Sequence, residues 1–271
     1  MNLRKPLFAT YAFVNQRGWL DRAWVKTVFR EAYFVYKKYY EDPFWRLVTK
    51  HPSLFSGGHV LDVGANIGYT ALCFARAVDS GHFVYAFEPE TVNYDELVKT
   101  AARGSARGRI RPIKQAVGEA RGSIDLWIND EHHADHRIVT KAYEALDRDL
   151  RKREAVEVTS IDDFVRERGI LDDVTFVKMD VQGYELPVCR GMVQTIESNP
   201  DIAVAVEYSP EHLVELGFEP VQLLRFFKDR GFNAYALSRH RSGPVVRAWD
   251  WETMDLEGYM DILFSRRARI S

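Results

Sequence analysis

The chain has 271 residues, of which 46% are hydrophobic, 13% aromatic and 28% charged, with a formal net charge of -2. That length allows one large domain, or one domain with an added segment. So small a net charge excludes a global field favouring nucleic acid or an anionic membrane, and no apolar run is long enough to span a bilayer.

The first residues, MNLRKPLFATYAFVNQRGW, begin basic but lack a compact apolar core with a small-residue cleavage site. No signal peptide is expected, and the expected location is cytoplasmic. Residues 19–50 predict helix, because Leu20, Trp24, Val28, Ala32, Val35 and Tyr39 recur at three- and four-residue intervals as one apolar stripe. Pro43 and Pro52 interrupt that pattern. Residues 1–55 are therefore expected to form an N-terminal helical cap on a main domain of residues 56–271. The same segment would also suit closure over a ligand or pairing into a homodimer, and the pattern does not choose. The two cysteines, Cys73 and Cys189, each sit in an apolar helical pattern and read as core thiols.

From residue 58 strands and helices alternate. HVLDVG, HFVYAFE, RIRPIKQAV, VTFVKMD and IAVAVEY predict strands, with helical patterns over residues 68–78, 91–103, 185–197 and 211–230. Short β-branched strands separated by amphipathic helices indicate an α/β fold with a parallel sheet covered on both faces. FNAYALS and YMDILFS follow, and the second is expected to finish the sheet. GSIDLWIND predicts an extra strand before an insertion of about residues 129–155. Within TKAYEALDRDLRKRE, Glu144/Arg148, Asp147/Arg151 and Asp149/Arg153 are spaced i, i+4. That spacing predicts an exposed helix laced by surface ion pairs, so its arginines are not expected to bind nucleic acid.

VLDVGANIGYTALCFAR, residues 60–76, reads as a buried strand turning into a helix with Gly64 and Gly68 at the join. In an open parallel sheet, ligands bind beyond the carboxyl ends of the strands, and glycine lets a ligand lie against the chain. Glu88 follows the next strand about twenty residues on, where an acid commonly grips a ribose. Turn and acid together point to an adenosine cofactor. The turn is not G-x-G-x-x-G, and no phosphate-binding G-x-x-x-x-G-K-[ST] occurs. Backbone groups with the polar side chains of Asp62 and Asn66 suit the zwitterionic end of S-adenosylmethionine better than a pyrophosphate.

VLDVGANIGYT, VYAFEPE, IKQAVGEARGSIDL, VTSIDDF and VKMDVQGYELPVCRGM, in that order, resemble the successive blocks of the FkbM-type methyltransferases over residues 58–209. The resemblance implies S-adenosylmethionine dependence, a Rossmann-like class I methyltransferase fold with a mostly parallel seven-stranded sheet, and O-methylation. It also implies that Asp62, Gly64, Asn66 and Gly68 surround the methionine part of the cofactor, that Glu88 holds the ribose, and that Gln115 and Ala116 border the adenine. One departure stands out: the acidic residue usual in the DVEG block is Gln182 here.

Methyl transfer to oxygen needs collinear reactants and, for an aliphatic hydroxyl, a base. Asp180, ending the VTFVKMD strand at the same sheet edge, is the leading candidate; orienting the cofactor or capping the next helix are its other possible roles. Lys178 points to the same strand face and would pair with an acid. His133, Asp135 and His136 in EHHADHR form a second candidate group, as base and orienter, and the resemblance implies a position over the acceptor pocket. Glu207, ending the next strand, would complete an acceptor site. Asp180, Glu207 and a histidine would suit a divalent cation, but no tight ligand spacing is present and a metal-free mechanism is expected. The expected acceptor is a small-molecule hydroxyl on a polyketide, sugar or glycolipid. The competing readings are a nicotinamide-dependent oxidoreductase, whose fingerprint is missing, and a cofactor-binding module without catalysis.

Overall fold

The computed structural model describes residues 23–128, 136–146, 152–240, 243–251, 258–267 and 269–270. In chain order the strands are β1 His59–Val63, β2 Val84–Phe87, β3 Ile110–Ile113, β4 Ala116–Val117, β5 Gly122–Trp127 and β6 Arg137–Ile138. They continue with β7 Arg153–Thr159, β8 Val174–Met179, β9 Ala203–Tyr208, β10 Asn233–Leu237, β11 Val246–Trp249 and β12 Met260–Ser265.

The main sheet has the order β11-β10-β12-β9-β8-β1-β2-β3. Strands β3, β2, β1, β8 and β9 pair in parallel, while β12 enters antiparallel between β9 and β10. This is the expected Rossmann-like, seven-stranded arrangement with a short eighth strand, β11, added at one edge. The last strand closes the sheet from its interior and not from its end.

Both faces of the sheet are apolar, as helices on both sides require. Leu61, Val63, Val177, Met179, Val204 and Val206 pack one face against helices at Ile161–Glu167, Glu185–Arg190 and Pro220–Lys228. Val60, Phe176, Ala203, Ala205 and Leu263 pack the other against Phe44, Leu47, Phe55 and Phe74. Phe55 lies 4.4 Å from Phe176 and 5.3 Å from Phe74, ring to ring, so the segment before β1 is part of the main core. Cys73 and Cys189 are both buried free thiols, in line with the sequence reading.

The N-terminal segment forms a helix over Ala23–Tyr36, a π-helical turn over Lys37–Glu41 and a second helix over Phe44–Lys50. Of its predicted stripe, Val28, Val35 and Tyr39 face outward, 58%, 55% and 43% exposed, while Leu20 lies outside the described residues. The face that docks is set instead by Arg30, bonded to Glu96 at 2.7 Å, and by Phe34 against the ring of Tyr69. Specific partners on the domain outweigh the apolar count of the stripe.

Two other sequence expectations change. RIRPIKQAV is not one strand, because β3 belongs to the main sheet and β4 to a second, four-stranded sheet of order β4-β7-β5-β6. In the charged stretch only Lys141–Glu144 is helical among the described residues, and Arg153 opens β7, where it bonds Glu144 at 2.7 Å. Arg153 belongs to a strand and not to a helix, since the alternation in REAVEVT buries Val156 and Val158 against the second sheet. Residues 147–151 lie outside the described residues.

Gly64 and Gly68 are the hinge of the β1 turn, at φ +75° and +89°. What approaches them is the protein itself. A Cβ on Gly64 would lie 1.9 Å from the carbonyl oxygen of Asp180, and one on Gly68 would lie 2.7 Å from Leu97 Cδ1. Beyond the expected clearing of space for a ligand, these glycines let the ends of β1 and β8, and the helix at Thr91–Ala101, close on one another. Replacing Gly64 with Ala combines a forbidden contact with left-handed strain, so Gly64→Ala is expected to lose more than about 3 kcal/mol of stability. Urea unfolding followed by circular dichroism checks the loss.

Candidate active site

A cleft of about 270 Å³, at the small end of ligand sites, opens along the carboxyl ends of β1, β2, β8 and β9. Its lining changes character along its length. Ala116, Val117, Leu126 and Ile138 supply an apolar portion from the second sheet; Glu88, Gly64 and Asn66 follow; Asp180, Gln182, Glu207 and Tyr259 make an acidic one. Tyr33 and Lys37 of the N-terminal segment also line it, which adds a wall that the sequence reading left open.

Glu88 sits one residue beyond β2 and is 6% exposed. Its carboxylate accepts the backbone N–H groups of Asn66 at 2.9 Å and Glu90 at 3.1 Å, which ties β2 to the glycine turn. Burial pushes this carboxyl up to about 7 against the lowering effect of those two N–H groups. Asn66 takes a left-handed φ of +50°, and its Oδ1 accepts the N–H of Ile67. Glu90 caps the next helix by accepting the N–H groups of Val92 and Asn93.

Asp62 does not face the cleft. It is fully buried beneath it, where Oδ2 accepts the Thr70 hydroxyl at 2.6 Å and Oδ1 lies 3.4 Å from Lys178 Nζ. Its expected direct contact with the cofactor is therefore corrected to an indirect one. Parallel register places Asp62 opposite Lys178, and period two keeps both on the face that carries Val60 and Phe176. Lys178 also donates to the Gly64 carbonyl at 2.8 Å and lies 3.6 Å from Asp180 Oδ2. Burial opposes its charge, but Asp180 and Asp62 outweigh burial and raise its proton affinity.

Asp180 follows β8, and Glu207 lies near the end of β9. Between them stands Gln182, at φ +53°, whose Nε2 donates to Asp180 Oδ1 at 2.8 Å and to Glu207 Oε2 at 2.9 Å. The Tyr259 hydroxyl donates to Glu207 Oε1 and accepts from Arg239, which pairs with Asp261 at 2.7 Å. Burial would raise Asp180, but Lys178 and the hydrogen bonds from Glu207 and Gln182 hold it down to about 2. Burial, and then the ionised Asp180 beside it, push Glu207 well above the usual carboxylate range.

His136 lines the cleft with its Nε2 3.9 Å from Glu90 Oε2. Asp180 is brought together instead with Lys178, Gln182 and Glu207. His133 and Asp135 lie outside the described residues. Gln115 lines the cleft and bonds Glu157 at 3.3 Å, beside the buried Ala116. Sequence reasoning found Lys178 and Glu207 but missed the bridging by Gln182 and the contribution of Tyr259. Tyr259 reaches Glu207 because β12 runs antiparallel to β9, a pairing with no local signature in YMDILFS.

The residues present suit an adenosine donor: an apolar portion for a base, the buried carboxyl of Glu88 in the cleft wall for a ribose diol, and a turn with backbone groups for an amino-acid end. The sequence matches the family model for the Methyltransferase FkbM domain over residues 62–234. It is 26% identical over 226 residues to Methyltransferase sdnD of Sordaria araneosa, across 75% of this chain and 83% of that protein. It is 28% identical over 139 residues to Hexuronic acid methyltransferase AglP of Haloferax volcanii, across 51% of each. Among solved structures, an O-methyltransferase from Bacillus cereus in complex with SAH aligns at a TM-score of 0.43 and 12% identity, over 82% of this chain and 77% of that chain.

Removing the ammonium at position 178 would leave the carboxylate of Asp62 buried without its counter-charge. Lys178→Met is therefore expected to cost about 3 kcal/mol or more, and adding Asp62→Asn to recover part of it. Guanidinium unfolding of the two variants beside the parent measures this.

Proposed function

The chain belongs to the FkbM methyltransferase family of S-adenosylmethionine-dependent enzymes, and from that premise we propose that it is an O-methyltransferase acting on a hydroxyl of a small-molecule natural product or sugar. S-adenosylmethionine, when bound, supplies a methyl carbon activated by a sulfonium. Glu88 would hold the ribose hydroxyls, and the turn at Gly64 and Asn66 the amino-acid end. Ala116, with Gln115 beside it and the apolar side chains of Leu126 and Ile138, would border the adenine. Asp62 acts from beneath by holding Lys178 and Thr70 in place. Gly68 serves the same portion by letting the turn pack closely on the helix at Thr91–Ala101.

The observation that carries the oxygen-methylation reading is the pair of carboxyl groups, Asp180 and Glu207, at the acidic portion of the cleft. A hydroxyl becomes a competent nucleophile when a neighbouring group takes its proton, and a carboxyl group there is placed to do so. Lys37 and Tyr33 would bound the acceptor from the N-terminal side. We place His136 in the wall of the cofactor portion, where its Nε2 lies 3.9 Å from Glu90 Oε2, and not at the proton-accepting centre. Similarity to a protein described as a hexuronic acid methyltransferase supports putting sugar acids among the first acceptors tried.

Calorimetric titration of the full chain with S-adenosylmethionine and with NAD tests the premise, with binding of the first alone expected. Incubation with S-adenosylmethionine and a panel of sugars, uronic acids and polyketide alcohols then tests the reaction. The expected product gains one methylene unit on a hydroxyl oxygen by mass spectrometry. Methylation at nitrogen or carbon only would overturn the oxygen reading.

Glu88 gives this binding a defined pH dependence. Ribose hydroxyls donate best to the ionised carboxylate, so binding lowers the proton affinity of Glu88 and releases a proton. Starting from a carboxyl pushed up to about 7, affinity is expected to rise by up to about tenfold per pH unit below that midpoint and to level off above it. Glu88→Gln is expected to flatten the profile and weaken binding about 10- to 100-fold. Calorimetry in buffers of different ionisation enthalpy reads both effects.

A further inference from the structure

Two features of the acidic portion of the cleft together select a class of acceptor. Resting on the methyltransferase reading above, we propose that the acceptor is a neutral sugar ring. One hydroxyl is methylated, a neighbouring hydroxyl donates to Asp180 and the Gln182 carbonyl, and Tyr33 and Tyr259 flank the ring. The two tyrosines are then specificity-determining residues, and Asp180 bars a carboxylate from the same place.

The first feature is the commitment of the donors. Gln182 directs one hydrogen of its NH2 group to Asp180 Oδ1 at 2.8 Å and the other to Glu207 Oε2 at 2.9 Å. Turning that amide over would set its carbonyl against two carboxyl groups, so its orientation is fixed and the carbonyl oxygen stays outside the bridge as a further acceptor. The Tyr259 hydroxyl hydrogen goes to Glu207 Oε1. The Lys178 ammonium is held by the Gly64 carbonyl at 2.8 Å, Asp62 at 3.4 Å and Asp180 at 3.6 Å. Arg239 is engaged by Asp261 at 2.7 Å and Tyr259 at 2.9 Å. What these groups present to a ligand is oxygen lone pairs, since a carboxylate oxygen accepts about two hydrogen bonds.

A molecule lying there has to bring the hydrogens itself. Adjacent hydroxyls do so, whereas a carboxylate brings none and sets its charge against Asp180. Lys37, at the same rim, does not reverse that balance. Its ammonium lies 5.5 Å from the centre of the Tyr33 ring, and its charge acts on Asp180 and Asp261, lowering the proton affinity of both. A ligand carboxylate would compete with those acids for it.

The second feature is apolar. Tyr33 stands one helical turn before Lys37, Tyr259 immediately precedes β12, and both line the cleft. They come from outside residues 62–234, the stretch matched by the family domain, whereas Glu88, Ala116, Leu126 and Ile138 of the cofactor portion lie inside it. The two flanks of this chain thus wall the acceptor. A tyrosine offers broad apolar surface beside a polar tip. A pyranose is complementary to such walls, with C–H groups on its faces and hydroxyls around its edge. A linear polyol lacks the face, and a simple alicyclic alcohol lacks the neighbouring donor.

The test measures binding of matched probes to the full chain loaded with S-adenosylhomocysteine, by calorimetry and saturation-transfer NMR. The probes are the methyl pyranosides of glucose, galactose and mannose, their 6-carboxylates, and cyclohexanol. At least one neutral glycoside is expected to bind about tenfold or more tightly than both its 6-carboxylate and cyclohexanol. Asp180→Asn is expected to narrow the gap between glycoside and carboxylate about tenfold. Tyr33→Ala, the milder variant, is expected to weaken the glycoside about three- to tenfold with S-adenosylhomocysteine affinity within about twofold of the parent. A carboxylate that binds as tightly as its glycoside overturns the proposal, and loss of that affinity in Lys37→Met would identify the cation responsible. Failure of all three glycosides to bind, or a glycoside affinity indifferent to Tyr33→Ala, also overturns it. The same probes are run on the chain without cofactor. If S-adenosylhomocysteine does not bind, the functional reading fails, while the order of the probes on the unloaded chain still decides the sugar preference.

Discussion

Lys178 carries an ammonium with almost no exposure to water, and an ion of that kind is tolerated only where charge and hydrogen bonds replace its hydration. Here Asp62, Asp180 and the Gly64 carbonyl do so from two adjacent parallel strands. The consequence reaches past stability. The same contacts hold the end of β1 against the end of β8, which sets where the glycine turn lies and which way Asp180 faces. The bare Cα of Gly64 completes the arrangement, since a side chain there would collide with the Asp180 carbonyl.

Around that joint the cleft is graded in polarity. Its second-sheet portion is apolar, its middle holds Glu88, and its far portion is acidic. The sheet topology produces this grading. Parallel strands β1, β2, β8 and β9 bring their carboxyl ends to one rim, so residues far apart in sequence meet there. Strand β12, running the other way, delivers Tyr259 to the same rim next to Glu207. The N-terminal segment adds Tyr33 and Lys37 from outside the sheet.

The electrostatics follow from this placement. Asp180 and Glu207 are chemically alike, yet one sits beside an ammonium and the other beside a carboxylate. Their proton affinities separate for that reason, and an amide at position 182 holds them at a fixed distance from each other. Substituting the amide for a third acid lowers the negative charge at the acidic portion without removing a hydrogen-bonding group.

Much of this was legible in the residues alone. Short β-branched apolar runs marked β1, β8 and β9, and the turn after VLDV with the acid after VYAF pointed to the proposed cofactor portion, because local patterns encode where a strand ends and a helix begins. Asp180, Glu207 and Lys178 were visible as strand-end residues on one rim. The sequence could not reveal that the glycines serve backbone packing, that Asp62 lies under the cleft, or that Val28, Val35 and Tyr39 face outward, since each depends on a partner distant along the chain. It likewise could not divide RIRPIKQAV between two sheets or find β7 in a charge-rich stretch. Strand partners are chosen by the burial of whole surfaces, and a one-dimensional pattern carries the periodicity of a strand but not the identity of the surface it will meet.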